Sequence, residues 1–245
     1  MTLLASQRGW YTVMDLDFTS LGTISLATNG TYNLGGYTWT KLNSAQDSVA
    51  AGIDSTGLAF TPTNSPNTNY SSSPSLRNLP LLTIPLTSAV PNFNLSTGIR
   101  VWVYNSVLTA TQNYQISMVG VDNGTPSYNR HVKRGYSGTN IVYSAVANNS
   151  VEFVQATTAV ATNSSSNVLM FELPQFNINL MNAYFGSYSS GFPQLSSMTM
   201  LKPPLPTAWD PTAYTLANSV ILLGGLVVSG APTVMKFARI KVEAR

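Results

Sequence analysis

Asp15 and Asp17 are the one pair of carboxylates in the chain at i, i+2 spacing. Retaining glycan hydrolysis uses two carboxyl groups about 5–5.5 Å apart, one as nucleophile and one as acid. Residues i and i+2 of a strand share a face with a backbone rise of roughly 6–7 Å. The spacing therefore admits a dyad. Its setting favours another reading: Met14, Leu16 and Phe18 alternate with the two aspartates, as on a half-buried strand whose polar face pairs with Arg239 or Lys241 of a neighbour. Glu152 and Glu172 stand alone, and Glu243 sits among basic residues. His131 is the single histidine. A serine triad needs a histidine or another base, yet Lys133 and Arg134 beside His131 disfavour its protonation, and no Gly-x-Ser-x-Gly elbow precedes a helix. Calcium takes 6–8 oxygen ligands; Asp122-Asn123-Gly124 is the best local candidate and reads more naturally as a tight turn. No glycine-rich phosphate loop is present. These residues predict no catalytic centre, no cofactor and no metal.

The elements that must hold these residues are strands. Ile99, Val101 and Val103 alternate with Arg100, Trp102 and Tyr104, and Ala238, Ile240, Val242 and Ala244 alternate with Arg239, Lys241, Glu243 and Arg245. Further strands are predicted over 37–42, 57–61, 81–85, 114–121, 141–146, 151–155, 168–173 and 219–228. No long segment has a helical period. Asn29-Gly30, Gly35-Gly36 and Asp122-Asn123-Gly124 are hairpin turn signals. Prolines collect between the strands, in loops at 62–80 and 201–213. The pattern predicts an all-β, two-sheet antiparallel sandwich, a single jelly-roll domain over 1–245 with a short N-terminal arm at about 1–10. The first and last strands are expected to pair within one sheet.

Charged residues make up 9% of the chain and hydrophobic residues 44%, against about 25% charged in an ordinary domain. Ser, Thr and Asn supply the remaining polarity. Such a surface meets another protein without desolvating many ions. The chain has no cysteine, and its net charge is +3. The densest basic group is Arg130, His131, Lys133 and Arg134, read as a loop-like solvated turn rather than a nucleic-acid stripe. The first eight residues lack the pattern of a secretory signal. The longest apolar run, 220–228, is too short to span a membrane and contains Gly224 and Gly225. Synthesis in the cytosol is expected, a route that leaves exit inside a particle open, with no nucleic-acid or membrane partner.

Several segments together resemble the concanavalin A-like, or laminin-G-like, jelly-roll superfamily, as found in tailed-phage virion proteins. Val13-Met14-Asp15-Leu16-Asp17-Phe18-Thr19 is similar to its first strand, and Ile53-Asp54-Ser55-Thr56-Gly57-Leu58-Ala59-Phe60 to its turn-and-strand. Residues 99–104 resemble a central strand, and residues 235–243 the last strand, which returns beside the first. The resemblance spans nearly the whole chain as pattern and order. Hydrolases of that superfamily carry a Glu-x-Asp-x-x-Glu strand, which this chain lacks. The resemblance implies a non-catalytic virion structural protein, such as a capsid decoration or cement protein or a tail component. It would bind other virion proteins and assemble as a homo-oligomer, with a trimer expected. The contacts would come from aromatic anchors at Trp10, Tyr11, Tyr70, Phe192 and Trp209. The alternative is a lectin-like carbohydrate-binding module. Its glycan would meet Tyr128, Asn129, Tyr136 and Asn140, with Trp39 or Trp102 as a stacking platform.

Overall fold

The computed structural model describes residues 9–42, 49–62, 81–91, 96–107, 115–122, 131–137, 140–147, 151–159, 168–174, 182–201, 220–227 and 235–245. Seventeen strands among them, numbered in chain order, form two antiparallel sheets. The nine-stranded sheet holds β1 (Tyr11–Asp17), β2 (Ile24–Ser25), β5 (Val49–Asp54), β6 (Gly57–Pro62), β8 (Gly98–Val107), β13 (Val168–Pro174), β14 (Asn182–Gly186), β15 (Thr199–Leu201) and β17 (Met235–Ala244). Its order is β15-β14-β13-β8-β17-β6-β5-β2, with β1 also on β17. The eight-stranded sheet holds β3 (Gly30–Leu34), β4 (Tyr37–Leu42), β7 (Leu81–Pro85), β9 (Gln115–Asp122), β10 (His131–Ser137), β11 (Asn140–Ala147), β12 (Val151–Ala159) and β16 (Val220–Val227). Its order is β12-β11-β10-β9-β16-β7-β4-β3. One helical turn, α1 (Leu86–Ala89), follows β7. The architecture is an all-β sandwich.

β17 organises the nine-stranded sheet. One of its edges pairs with β8. Its other edge is shared: β6 takes Met235 to Phe237, and β1 takes Arg239 to Ala244. The expected pairing of the first and last strands is therefore present. Alternation decides which side chains enter the core. Along β1, Met14 and Leu16 are buried while Asp15 and Asp17 are exposed. On β17, Ile240, Val242 and Ala244 are buried; Arg239, Lys241 and Glu243 point the other way.

One apolar cluster draws on both sheets. It includes Phe60 and Phe237, edge-to-face with centroids 5.9 Å apart, and Phe18 and Trp39, 6.2 Å apart. Burial of such rings is the main stabilising contribution here, at about 25 cal/mol per Å² of apolar surface.

The β3–β4 hairpin turns on Gly35 and Gly36, with φ of 61° and 85°. A two-residue turn of this hand needs positive φ at both positions, which glycine adopts without steric cost. At Gly57, φ is 123° and a Cβ would come 2.4 Å from the Phe237 carbonyl oxygen.

Three features depart from the sequence expectations. The basic segment read as loop-like is strand β10 over its described part, paired with β9 and β11. Strand pairing depends on neighbours more than on a segment's own composition, and β11 is rich in strand-forming residues. The short strands β2, β3, β14 and β15 also lie outside the expected strand set, as does β5. Finally, Lys41 stands on the inner face of β4, with no exposed surface.

Candidate functional site

The outer face of the nine-stranded sheet gathers the ionisable side chains that alternation turns away from the core. Register places them in rows across the strands. Glu243 of β17 stands beside Arg100 of β8, and Arg100 beside Glu172 of β13. In the next row Lys241 stands beside Trp102, then Met170, Tyr184 and Met200. Arg239, Tyr104 and Val168 form the third row. Asp15 of β1 closes the group, opposite Lys241.

Each charge has a partner. The Arg239 guanidinium donates through Nε and Nη2 to the two Asp15 oxygens, both at 2.6 Å, and through Nη1 to the Tyr188 hydroxyl at 3.2 Å. The Asp15 bond holds Arg239 still further above its ordinary pKa. Arg100 donates to Glu172 at 2.9 Å. Glu243 accepts from Lys241 Nζ at 2.7 Å and from Trp102 Nε1 at 2.9 Å. At the start of β17 Lys236 donates to Asp54 at 2.7 Å, and that hydrogen bond, with those from Thr56, holds the Asp54 carboxyl far below the carboxylate range. Burial raises the Tyr184 phenol, Glu172 adds to the rise and Arg100 opposes it.

A second apolar cluster lies over these rows. Trp102, Val168 and Met170 are buried beneath Tyr188, Phe192, Leu195 and Met198 of the segment after β14. Tyr188 stacks on Tyr104 with centroids 4.0 Å apart and planes 4° from parallel. Phe192 packs on Trp102 at 5.8 Å and edge-to-face on Tyr188 at 5.4 Å. The Lys241 ammonium sits 4.5 Å from the Trp102 ring and 5.2 Å from Phe192, within cation–π range. At the end of the face the Trp10 ring lies between the guanidiniums of Arg100, at 4.1 Å, and Arg245, at 4.8 Å.

The aromatic anchors expected from sequence fall in different places. Phe192 and Trp10 share this face, both half-buried. Tyr11 is exposed at 42% and, with Met200 at 53%, is one of two exposed large hydrophobic residues among those described. Tyr136 lies on β10 opposite Ile141 and Gln115, and only its backbone is described. Tyr70, Tyr128, Asn129 and Trp209 lie outside the described residues, and Asn140 starts β11. The two tryptophans expected as sugar platforms are covered: Trp39 is in the core at 0% exposure and Trp102 sits under Phe192 at 4%. Trp102 does face outward as alternation requires, but the segment after β14 lies on it.

Asp15 and Asp17, the candidate dyad, are both engaged. Asp15 holds Arg239, as the strand-face reading expected. Asp17 accepts from the Thr19 amide at 2.9 Å and from its hydroxyl at 2.6 Å, capping the turn that follows β1. The residues missed by sequence reasoning are Tyr104, Tyr188 and the Arg100–Glu172 pair. The signal for the pair was present, because Arg100 and Glu172 each interrupt an apolar strand on its outward phase.

No family model matches the chain, and no curated protein matches it. Among solved structures, a protein of unknown function from Shewanella oneidensis MR-1 is 12% identical, with 91% of this chain and 85% of that one covered and a TM-score of 0.48. A carbohydrate esterase of Shiga toxin-encoding bacteriophage phi24B is 12% identical, covering 97% and 100%, with a TM-score of 0.41. A family 7 alginate lyase is 10% identical, covering 77% and 80%, with a TM-score of 0.39. All three scores lie below 0.5, and nothing about this chain's chemistry follows from them.

Proposed function

We propose that this chain is a concanavalin A-like jelly roll acting as a non-catalytic structural component of a virion. The role is capsid decoration, cementing or tail assembly, performed as a homo-oligomer, a trimer by preference. The observation that carries the reading is the use of charge. The chain has few ions, and eight of those described are consumed in four internal pairs: Arg100–Glu172, Lys236–Asp54, Arg239–Asp15 and Lys241–Glu243. Among the described residues the exposed side chains are chiefly Ser, Thr and Asn. Burying that surface against a neighbour avoids stripping water from unpaired charges, the step that makes charged interfaces costly. Interface cores are depleted in charged residues and enriched in aromatics and Met for the same reason. Exposed Tyr11 and Met200 are suited to such contacts.

The non-catalytic part rests on the engagement of the aspartates. Asp15 binds Arg239 and Asp17 accepts from Thr19, which supports a structural role for both carboxylates. The virion part rests on the resemblance of strand order and composition given above.

The test is co-sedimentation of the purified chain with particles of the virus that encodes it, alongside sedimentation equilibrium and a glycan array. Saturable binding to particles by an oligomer supports the proposal. A monomer that ignores particles and binds glycan overturns it in favour of a lectin-like module. Glycan cleavage lost in Asp15→Asn or Asp17→Asn overturns the non-catalytic assignment.

A further inference from the structure

Lys41 is the one charged residue among those described that is fully buried. Register fixes where it points. Lys41 pairs with Leu82 of β7, and Leu82 with Leu223 of β16. Both leucines belong to the core between the sheets, so paired side chains put Lys41 on that same inner face. Trp39, two residues earlier on β4, shares the face, about 6–7 Å away along the strand, and is likewise at 0% exposure. Neither Lys41 Nζ nor Trp39 Nε1 has a hydrogen-bond partner among the described residues. On the other side Lys41 pairs with Gly30 of β3, the edge strand of the sheet. A Cβ at Gly30 would meet nothing within 4 Å, so β3 contributes no side chain at the position paired with Lys41.

Two buried donors side by side on one strand, with no acceptor, are a chemical request for one. Nearly all buried polar atoms in native proteins have a partner, and a buried donor without one has a specific cause. We propose that Trp39 Nε1 and Lys41 Nζ form an internal binding site for a monoanionic carboxylate, seated between the sheets beside edge strand β3. The charge follows from the surroundings. One ammonium in an apolar core is neutralised by one negative charge, whereas a dianion would leave an excess that the core cannot solvate. The shape follows from the donors, since a carboxylate offers two oxygens, one for the indole N–H and one for the ammonium. Desolvation lowers the pKa of the unliganded amine, and a bound carboxylate reverses that by stabilising the ammonium.

The experiment is thermal unfolding of the full chain while acetate is titrated against chloride at constant ionic strength. Wild type, Lys41→Met and Trp39→Phe are compared, and the Trp39 indole N–H resonance is followed in parallel. The expected result is a saturable, acetate-specific rise in Tm and a shift of the Trp39 resonance. Each variant should weaken acetate binding at least about tenfold, the loss of one charge-assisted hydrogen bond. Lys41→Met keeps the stem volume and Trp39→Phe keeps a ring, so both should fold, and their unfolding baselines show whether they do. No acetate response in wild type, with Lys41→Met more stable than wild type, overturns the proposal. An Asp47→Asn variant tests for a carboxylate supplied by the chain itself: if it destabilises the protein while wild type ignores acetate, the free-ligand site is overturned.

Discussion

Removing the Phe192 ring should expose an indole on the outside of the sheet without opening the sandwich. In Phe192→Ala the losses can be worked from the structure. A fully buried Phe→Ala change costs roughly 3–5 kcal/mol. Phe192 is half-buried, so its burial share is about 1–2 kcal/mol. Its tilted contact with Trp102, at 5.8 Å, adds about 0.5–1 kcal/mol. The sum is about 2 kcal/mol, which for a chain of this size lowers Tm by roughly 4–8 °C. Phe60→Ala removes a ring at 0% exposure packed on Phe237 and should cost about 3–5 kcal/mol. Two readouts separate the sites. Acrylamide quenching should gain one accessible indole in Phe192→Ala, because Trp102 at 4% exposure loses its cover, while the unfolding transition stays cooperative. Unchanged quenching together with an unchanged Tm would refute the idea that the segment after β14 seals Trp102.

Three other outcomes follow from the same geometry. Gly57→Ala places a Cβ 2.4 Å from a backbone oxygen that cannot rotate away, at a φ of 123°; it should cost about 3 kcal/mol or more, whereas Gly22→Ala, with φ 76° and nothing within 4 Å, should cost only about 1 kcal/mol, as read by urea unfolding. A double-mutant cycle of Asp15→Asn and Arg239→Met should give a coupling of about 0.5–1 kcal/mol, discounted because both side chains are about one-third exposed, and salt should weaken it. Asp54 is held below its ordinary pKa by Lys236 and Thr56, so its contribution is present at neutral pH and lost as pH falls below about 4; Asp54→Asn should flatten that acid limb of a Tm-versus-pH curve, and an identical limb in the variant would refute it.

The sequence was legible wherever a strand is half-buried. Residues 99–104 and 239–244 alternate cleanly, and their inner and outer faces in the structure are those the alternation assigned. Strand β2 is only the pair Ile24–Ser25, and β3 (Gly30–Leu34) carries Gly, Thr and Asn; both have little propensity of their own and are held by β5 and β4. β10 is likewise basic and polar in isolation. The outer cluster was illegible for a different reason. Nothing local in a segment such as Ser187-Tyr188-Ser189-Ser190-Gly191-Phe192 states that its rings lie on Tyr104 and Trp102; only tertiary placement does. Lys41 was legible in principle. In Tyr37-Thr38-Trp39-Thr40-Lys41-Leu42 it occupies the phase of Trp39, where an apolar residue belongs.

The double occupancy of one β17 edge has a consequence for the order of events at the ribosome. Until residues 235–244 emerge, β8 lacks the neighbour that links it to β6 and β1, and the nine-stranded sheet remains in three pieces: β15-β14-β13-β8, β6-β5-β2 and β1. The half-built molecule must therefore wait, with its apolar rows unclosed, for a single late segment to arrive between them. Synthesis halted before that segment should leave a chaperone client rather than a smaller sandwich.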